Sequence, residues 1–332
     1  MSHQNNDRGQ EPTFLPASPT FAALSAEAAG TSVGAVEKNP AISYLMSLQA
    51  ESSRLSMGSF LNNMARMMGF ANLRNCPWGM LRRHHVQAIL TMLSDAAKAP
   101  ATINNYLAAI KGVALEAWTL KLIDTDSYQH IKQVKSVRGS RLPKGRALDP
   151  AEVRQLFFTC ESDTSAIGVR DGAILSILVG CGLRRAEVVA LDLSGYDRKE
   201  RSLKVLGKGN KERLAFLPDG AFRRLEVWVE EVRGDVPGPL FTRVRRYDDL
   251  TYDRLSSQAV YHILNTRRVQ AGIEKCAPHD LRRTFASSML GNGEDLITVK
   301  DAMGHASLTT TQKYDFRGNE RLRDASKRLD IG

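Results

Sequence analysis

The sequence predicts a mainly α-helical protein of two domains with a small antiparallel β-sheet. The chain has 332 residues, more than one typical core needs, since domains span roughly 100–200 residues. Apolar residues recur at helical spacing over much of its length. The stretch "RSLKVLGKGNKERLAFLP", residues 201–218, instead alternates apolar and polar side chains around a glycine-bounded turn, which predicts a β-hairpin.

The first part of the chain divides into a tail and a helical region. Residues 1–38 are rich in small and polar side chains, so they predict a flexible tail. Residues 39–137 predict a small helical bundle. Its first three helices are expected to bury Ile42, Leu45, Met46, Leu48, Phe60, Leu61, Met64, Met67, Val86, Ile89, Leu90 and Leu93. A fourth helix is expected to begin with Thr102 as its N-cap and to run through Tyr106, Ile110, Val113 and Leu115.

Residues 138–148 are interpreted as a basic interdomain linker. The segment "SVRGSRLPKGRA", residues 136–147, has four basic residues, no acidic one, two glycines and a proline, which together interrupt any helical or strand period. Two interpretations remain open. The segment is either an ordinary surface loop or a linker that follows a phosphate backbone.

The second domain is expected to span residues 149–332. Asp149 at the N-cap and Pro150 at N1 predict its first helix, and more helices follow. In the hairpin, Leu203 and Val205 are expected to face Leu214 and Phe216. Near the end of the chain, one apolar stripe is expected on a charged helix, formed by Leu322, Ala325 and Leu329.

Composition favours a polyanionic partner. Lys and Arg outnumber Asp and Glu by 46 to 36, which gives a net charge of +10. The four cysteines form no C-x-x-C pair, which argues against a disulfide framework and a zinc site. No apolar run is long enough for a membrane span, and the first residues, "MSHQNNDRGQEP", have no signal-peptide pattern. We therefore expect a soluble, cytoplasmic protein.

Four separated segments supply cations or hydrogen-bond donors. They are "GCGLRRAEVV" (180–189), "GKGNKER" (207–213), "HDLRRTF" (279–285) and "MGHASLTTTQKY" (303–314). Each alone is a weak signal, and "GKGNK" does not have the spacing of a phosphate-binding Walker loop. Together, in this order, they resemble the active-site signature of the tyrosine recombinase (phage integrase) family. The matching residues are Arg184, Glu187, Lys208, His279, Arg282, His305 and Tyr314.

The resemblance implies a fold and an activity. The fold would be a two-domain C-shaped clamp, with a helical core-binding domain at 39–137 and a catalytic domain at 149–332. The activity would be site-specific recombination of double-stranded DNA through a 3′-phosphotyrosyl intermediate, by a homotetramer on two DNA sites, with or without accessory DNA-binding proteins. The terminal helix would dock into a neighbouring protomer, although packing on its own domain is equally open.

The resemblance also assigns roles to the matching residues. Guanidinium groups suit the nonbridging oxygens of a phosphate under attack, which is the role of Arg184 and Arg282, with His305 as a further donor. Tyr314 would attack phosphorus, and His279 would accept its proton. Lys208 would protonate the leaving 5′ oxygen, and Lys211 is the alternative residue for this role. Glu187 would orient the site or form a simple ion pair.

Further residues are expected to contact DNA, and no cofactor or metal is expected. The DNA-contacting residues are Thr102, Asn104, Asn105, Lys111, Arg138, Arg141, Lys144 and Arg146. No Asp/Glu cluster suited to Mg²⁺ lies near the motifs.

Three other interpretations remain. One is a type IB topoisomerase-like enzyme that reseals the same strand, and another is a catalytically idle DNA-binding regulator. The third is a metal hydrolase that uses His262, His279 and His305, although no H-E-x-x-H motif is present. The motifs do not choose between integration, excision and resolution. The long polar tail and "KYDFRGNE" after the tyrosine motif favour a mobile element.

Overall fold

The computed structural model describes residues 38–141, 145–207, 210–305, 307–312 and 326–327. The described chain is mostly helical with two small antiparallel sheets, so the predicted mainly α class is confirmed. The chain divides into two compact units, Met1–Leu142 and Pro143–Gly332. Within the described residues, no helix has both the length and the apolar character that crossing a membrane would require.

The first unit is a helical bundle. Its helices are α1 (Pro40–Ser47), α2 (Glu51–Met67), α3 (Arg83–Asp95), α4 (Pro100–Thr119) and α5 (Thr125–Lys132). The long helix α4 packs against the other four. A short 3₁₀ turn at Trp78–Met80 closes the bundle, and the buried indole of Trp78 donates a hydrogen bond to the carbonyl of Leu73 at 2.8 Å. The polar N–H of this buried indole therefore has a hydrogen-bond partner inside the apolar core.

Two details of the bundle differ from the sequence prediction. Helix α4 begins at Pro100 with Ala99 as its N-cap, so Thr102 lies inside the first turn. Proline is suited to N1 because its fixed φ fits the helix and its missing N–H would be unpaired there. Met46 and Leu115 are 79% and 42% exposed, because α1 buries its first residues and α4 buries a different face.

The second unit contains eight α-helices and five strands among its described residues. The helices are α6 (Pro150–Glu161), α7 (Ala166–Gly180), α8 (Arg185–Ala190), α9 (Asp219–Val227), α10 (Ser257–Gln270), α11 (Pro278–Gly291), α12 (Leu296–Met303) and α13 (Leu308–Gln312). The strands are β1 (Tyr196–Asp197), β2 (Ser202–Gly207), β3 (Lys211–Phe216), β4 (Thr242–Val244) and β5 (Leu250–Arg254). Asp149 caps α6 as predicted, since its carboxylate accepts from the backbone N–H of Glu152 at 2.8 Å.

Helix α7 forms the centre of this unit. Residues 170–178 are all buried, and α6, α9 and α11 pack against the helix. A helix covered on all sides is typical of a domain interior. The turn that follows α7 leads directly into the segment "GLRRAE", so Arg184 comes four residues after the end of this buried helix.

The predicted hairpin is present, but the pairing of residues that we expected across it is wrong by one position. Strands β1, β2 and β3 form an antiparallel sheet in which Leu203 faces Ala215. Gly207 pairs with Lys211, which leaves three residues for the turn, whereas the expected pairing needs a two-residue turn. A one-residue shift in register moves side chains to the opposite face. Leu214 and Phe216 therefore lie on the face opposite to Leu203 and Val205, and they are 56% and 65% exposed.

Candidate active site

The ends of three helices in the second unit bring together several of the predicted site residues. Arg184 is the N-cap of α8, His279 and Arg282 lie in the first turns of α11, and His305 follows α12. Arg184 and Arg282 both donate to carbonyls in the turn that precedes His305, those of Gly304 and Met303. Arg184 reaches this turn from 120 positions away in the chain and Arg282 from 21 positions away.

Arg282 is the most deeply placed cation of this group. It is 1% exposed, and its guanidinium donates to the carbonyl of Gly182 and, at 2.5 Å, to that of Met303. Gly182 has φ +61°, and a Cβ built there would lie 2.3 Å from the ring of Phe285. Only glycine fits this turn without displacing its neighbours. The glycine of "GLRR" thus presents a carbonyl that holds Arg282 in place.

Arg184 is partly exposed and is held by Glu187 three residues later. The guanidinium Nη1 donates to Glu187 Oε1 at 2.5 Å, and the Arg184 backbone N–H donates to Oε2 at 2.9 Å. The second contact is the carboxylate half of a capping box. The Arg184 side chain keeps 39% of its surface exposed, whereas that of Glu187 keeps 6%. The pair therefore orients a cation whose outer edge still faces solvent.

Arg213 also contacts this pair, and the sequence interpretation missed it. From strand β3 it donates to both carboxylate oxygens of Glu187, at 2.9 and 3.3 Å, and its Nε donates to the carbonyl of Ala302 at 3.3 Å. Arg213 faces Val205 across the hairpin, on the side that carries the buried residues. A charged residue on the inward face of a strand was the signal that could have identified it.

His305 is buried beside a left-handed glycine. Gly304 has φ +62°, and a Cβ built there would lie 3.0 Å from the guanidinium of Arg213. His305 is 7% exposed, and its Nδ1 lies 2.9 Å from the hydroxyl of Thr311, which is fully buried. Burial, reinforced by the positive charge of Arg282, lowers the pKa of His305 to about 4. The imidazole is therefore neutral at pH 7.

His279 lies at the start of α11 with its side chain accessible to solvent. Partial burial, and then the charges of Arg283 and Arg282, lower its pKa below the ordinary histidine value. A neutral imidazole at pH 7 can accept a proton. This protonation state fits the base role that the sequence suggests for His279.

Two predicted catalytic residues, Lys208 and Tyr314, lie outside the described residues, as do Lys144 and the stripe of Leu322, Ala325 and Leu329. Lys211, the alternative to Lys208, is exposed at the first position of β3. The described part of the chain contains no group of three or more His, Cys, Asp and Glu side chains placed to hold a metal ion, and His262, His279 and His305 form no such group.

Several residues expected to contact DNA make hydrogen bonds within their own unit. The Asn104 side chain donates to and accepts from the backbone of Val137, at 3.0 and 2.9 Å. Lys111 donates to the carbonyl of Val134 at 2.7 Å. These two contacts fix the segment that follows α5, which gives Asn104 and Lys111 a structural role whether or not they meet DNA.

Two arginines of the basic segment also make hydrogen bonds within their own units. Arg141 donates to the carbonyl of Ala97 at 2.7 Å within the first unit. Arg146 forms a paired contact with Glu152, at 2.5 and 2.6 Å, within the second unit. Among the other expected DNA contacts, Asn105 and Arg138 are exposed and Thr102 is partly exposed.

Comparison with known proteins places the chain in a family. Residues 146–318 match the model of the phage integrase family. The tyrosine recombinase XerD of Oceanobacillus iheyensis is 32% identical over 256 residues, which cover 76% of this chain and 83% of that protein. The tyrosine recombinase XerC of Herpetosiphon aurantiacus is 30% identical over 272 residues, covering 80% and 86% of the two chains.

Solved structures share the fold. The XerH site-specific recombinase, in a post-cleavage complex with a palindromic difH substrate, superposes with a TM-score of 0.57 at 19% identity, covering 93% of this chain and 94% of that one. A lambda integrase tetramer bound to a Holliday junction gives a TM-score of 0.59 at 16% identity, covering 82% and 75%.

The chain belongs to the phage integrase family. It is a DNA breaking and rejoining enzyme of the tyrosine recombinase type, related to the Xer proteins of site-specific recombination.

Proposed function

We propose that Arg184, Arg282 and His305 bind the scissile phosphate of a DNA strand and that Tyr314 attacks it. The observation that supports this most directly is the convergence of the two guanidinium groups on the turn before His305. In the attack, a bond forms between the Tyr314 oxygen and phosphorus, and the bond from phosphorus to the 5′ oxygen breaks. The 3′ phosphate is then linked to the enzyme and the 5′ strand end is released.

Each proton in this step has a proposed donor or acceptor. His279 accepts the phenol proton, which its neutral state at pH 7 permits. Lys208 gives a proton to the leaving 5′ oxygen, and Lys211 is the alternative donor. Neutral His305 donates a hydrogen bond to the phosphate without adding a full charge. Glu187 holds Arg184 at the angle needed to meet the nonbridging oxygens.

The phosphotyrosyl bond keeps the energy of the broken phosphodiester. A 5′-hydroxyl from a second DNA strand can therefore attack it and reseal the chain without ATP, which is strand exchange. The cations that neutralise the phosphate are side chains, so the step needs no divalent metal ion. We propose double-stranded recombination sites as the substrate, and the high net charge of +10 favours this polyanion.

We propose a homotetramer on two DNA sites, with or without accessory proteins, as the working assembly. The tetrameric lambda integrase on a Holliday junction supports this for the shared fold. The clamp formed by the two domains, the docking of the terminal helix, a cytoplasmic location and a mobile-element role remain predictions. The assembly is tested by light scattering of the protein mixed with duplex DNA from both sides of its own gene. If every DNA that the protein recombines carries fewer than four subunits, the tetramer is wrong.

The nucleophile is tested with a nicked substrate that traps cleavage. The wild-type protein should form a covalent adduct that shifts on a denaturing gel, with or without EDTA. Tyr314→Phe should bind the same DNA and form no adduct, because only the attacking oxygen is lost. An adduct with Tyr314→Phe, or cleavage that EDTA abolishes and Mg²⁺ restores, would contradict the proposal.

The proton donor is tested with a matched pair of variants. A substrate whose 5′ leaving oxygen is replaced by sulfur needs no general acid, since a thiolate is a much better leaving group. Lys208→Ala should therefore lose cleavage of ordinary DNA and regain it on the sulfur substrate. If Lys211→Ala shows this pattern and Lys208→Ala does not, the donor is Lys211.

A further inference from the structure

Arg213 joins three parts of the candidate site through one side chain. It lies on strand β3, only two positions after Lys211 and close to the hairpin turn. Its guanidinium contacts Glu187 on α8 and the carbonyl of Ala302 near the end of α12. The side chain is 14% exposed, so these contacts are made in a largely dry environment.

The approach of Arg213 to the turn before His305 is close. A Cβ on Gly304 would lie 3.0 Å from three atoms of the Arg213 guanidinium. The planar group therefore lies against the backbone of the glycine that precedes His305. Any movement of the hairpin is transmitted to this turn, because close-packed groups cannot move independently.

Arg213 also helps to keep the carboxyl group of Glu187 ionised. Burial alone would raise the pKa of this carboxyl, but the hydrogen bonds from Arg213, and after them those from Arg184, leave the pKa lowered. The carboxylate is thus charged and accepts from four N–H groups, two on each arginine. With its carboxylate fixed in this way, Glu187 allows Arg184 a narrow range of orientations.

We propose that Arg213 is a positioning residue for cleavage. It holds the Glu187–Arg184 pair and the Gly304–His305 turn at a fixed distance from the hairpin, so that their donors meet the same phosphate. This inference rests on the proposed function. Lysine cannot replace Arg213, because a single ammonium group does not have the planar fork that spans both oxygens of Glu187 and the Ala302 carbonyl.

The test compares Arg213→Lys and Arg213→Met with the control Arg201→Ala. Arg201 is 51% exposed at its side chain, lies beside the same sheet and pairs with Asp219. Adduct formation on the nicked substrate should fall by about 10²-fold in both Arg213 variants, as expected when reacting groups are misplaced by about 1 Å. Arg201→Ala should react at the wild-type rate. DNA affinity of Arg213→Lys should stay near that of the wild type, because Arg213 faces inward.

Two further readouts separate positioning from a merely structural role. A substrate with an uncharged methylphosphonate at the cleaved position needs less help from Arg184, so Arg213→Lys should regain most of its lost rate on it. In a double-mutant cycle with Glu187→Gln, the double variant should be no slower than the slower single variant. A structural defect would instead slow both substrates equally and add to the effect of Glu187→Gln.

The outcomes also separate this inference from the proposed function. If the wild-type protein forms no Tyr314 adduct, the proposed function itself is wrong. If the wild type forms the adduct and Arg213→Lys forms it equally fast, the positioning role is wrong and the proposed function stands. If Arg213→Lys unfolds or loses DNA binding, and the methylphosphonate does not restore its rate, Arg213 is a stability residue.

Discussion

Among the described residues of the second unit, two carboxylates, Asp171 and Glu187, each pair with two arginines, and the two clusters differ in how exposed their arginines are. Asp171 on α7 pairs with Arg170 and with Arg267, both at 2.8 Å. The side chains of those arginines are 8% and 3% exposed. These three charges are buried in the core, Arg267 also pairs with the partly exposed Asp163 at 2.7 Å, and the contact of Asp171 with Arg267 joins the central helix α7 to α10.

The second carboxylate is Glu187, and its two arginines are unequal. Arg213 is 14% exposed at its side chain, whereas Arg184 is 39% exposed. The carboxylate itself is buried to about the same degree as Asp171. The same ion-pair chemistry therefore stabilises a core in one place and presents an oriented cation to solvent in the other. Exposure of one cation, rather than the presence of the pair, distinguishes a candidate binding group from a structural one.

The largest expected effect comes from breaking the enclosed cluster. Asp171→Ala leaves the buried Arg170 without its carboxylate partner and leaves Arg267 with Asp163 alone, and loss of one member of a buried pair typically costs about 3–5 kcal/mol. The thermal midpoint should fall by roughly 10 °C for a unit of this size, as measured by calorimetry. The exposed pair of Arg201 and Asp219 is the control, because Asp219→Ala should cost under about 1 kcal/mol. Equal losses in the two variants would contradict the structural role of Asp171.

The next effect is a pH dependence of stability from His305. Its pKa is about 4 in the folded state and near 6.5 in the unfolded chain, so the unfolded chain binds more protons between these values. The stabilisation is therefore complete above about pH 6.5 and is lost as the pH falls toward 4. Urea unfolding of the wild type and of His305→Gln should be measured at pH 7.5, 6 and 5. As the pH falls, the free energy of unfolding should decrease less for the variant than for the wild type. Parallel curves would mean that His305 is not held neutral.

The smallest effect concerns the hydroxyl next to His305. Thr311→Val removes the group 2.9 Å from Nδ1 while nearly keeping the side-chain volume. Because one hydrogen bond contributes about 0.5–1.5 kcal/mol, adduct formation should slow by up to about tenfold. Thr298→Val is the control, since its hydroxyl contacts Asp295 at the exposed start of α12. If both threonine variants react like the wild type, Thr311 does not orient the imidazole.

The sequence alone predicts the fold class and the segments of the candidate site, because both depend on local patterns. Helical spacing identifies the bundle, and ordered motifs identify Arg184, Arg282 and His305. The hairpin register was missed because it depends on one residue of turn length, which alternation does not reveal. The face of strand β3 on which Arg213 lies depends on the same detail.

Long-range contacts explain why some residues expected to contact DNA bind backbone atoms of their own unit. Asn104 and Lys111 look like free polar groups on a helix, yet they bind backbone atoms 33 and 23 residues away. No local pattern indicates where a following segment will pack. The partner of an exposed-looking polar side chain is decided by tertiary structure, which the sequence does not display directly.

The central claim is that the exposed donors of Arg184 neutralise charge on the cleaved phosphate. Its most direct test measures adduct formation by Arg184→Ala on two nicked substrates, one with an ordinary phosphate and one with a methylphosphonate at the cleaved position. The ordinary phosphate should react about 10²–10³-fold more slowly than with the wild type, the usual cost of one oxyanion donor. The uncharged substrate should restore most of that loss, because it carries one fewer negative oxygen. An equal defect on both substrates would contradict the account.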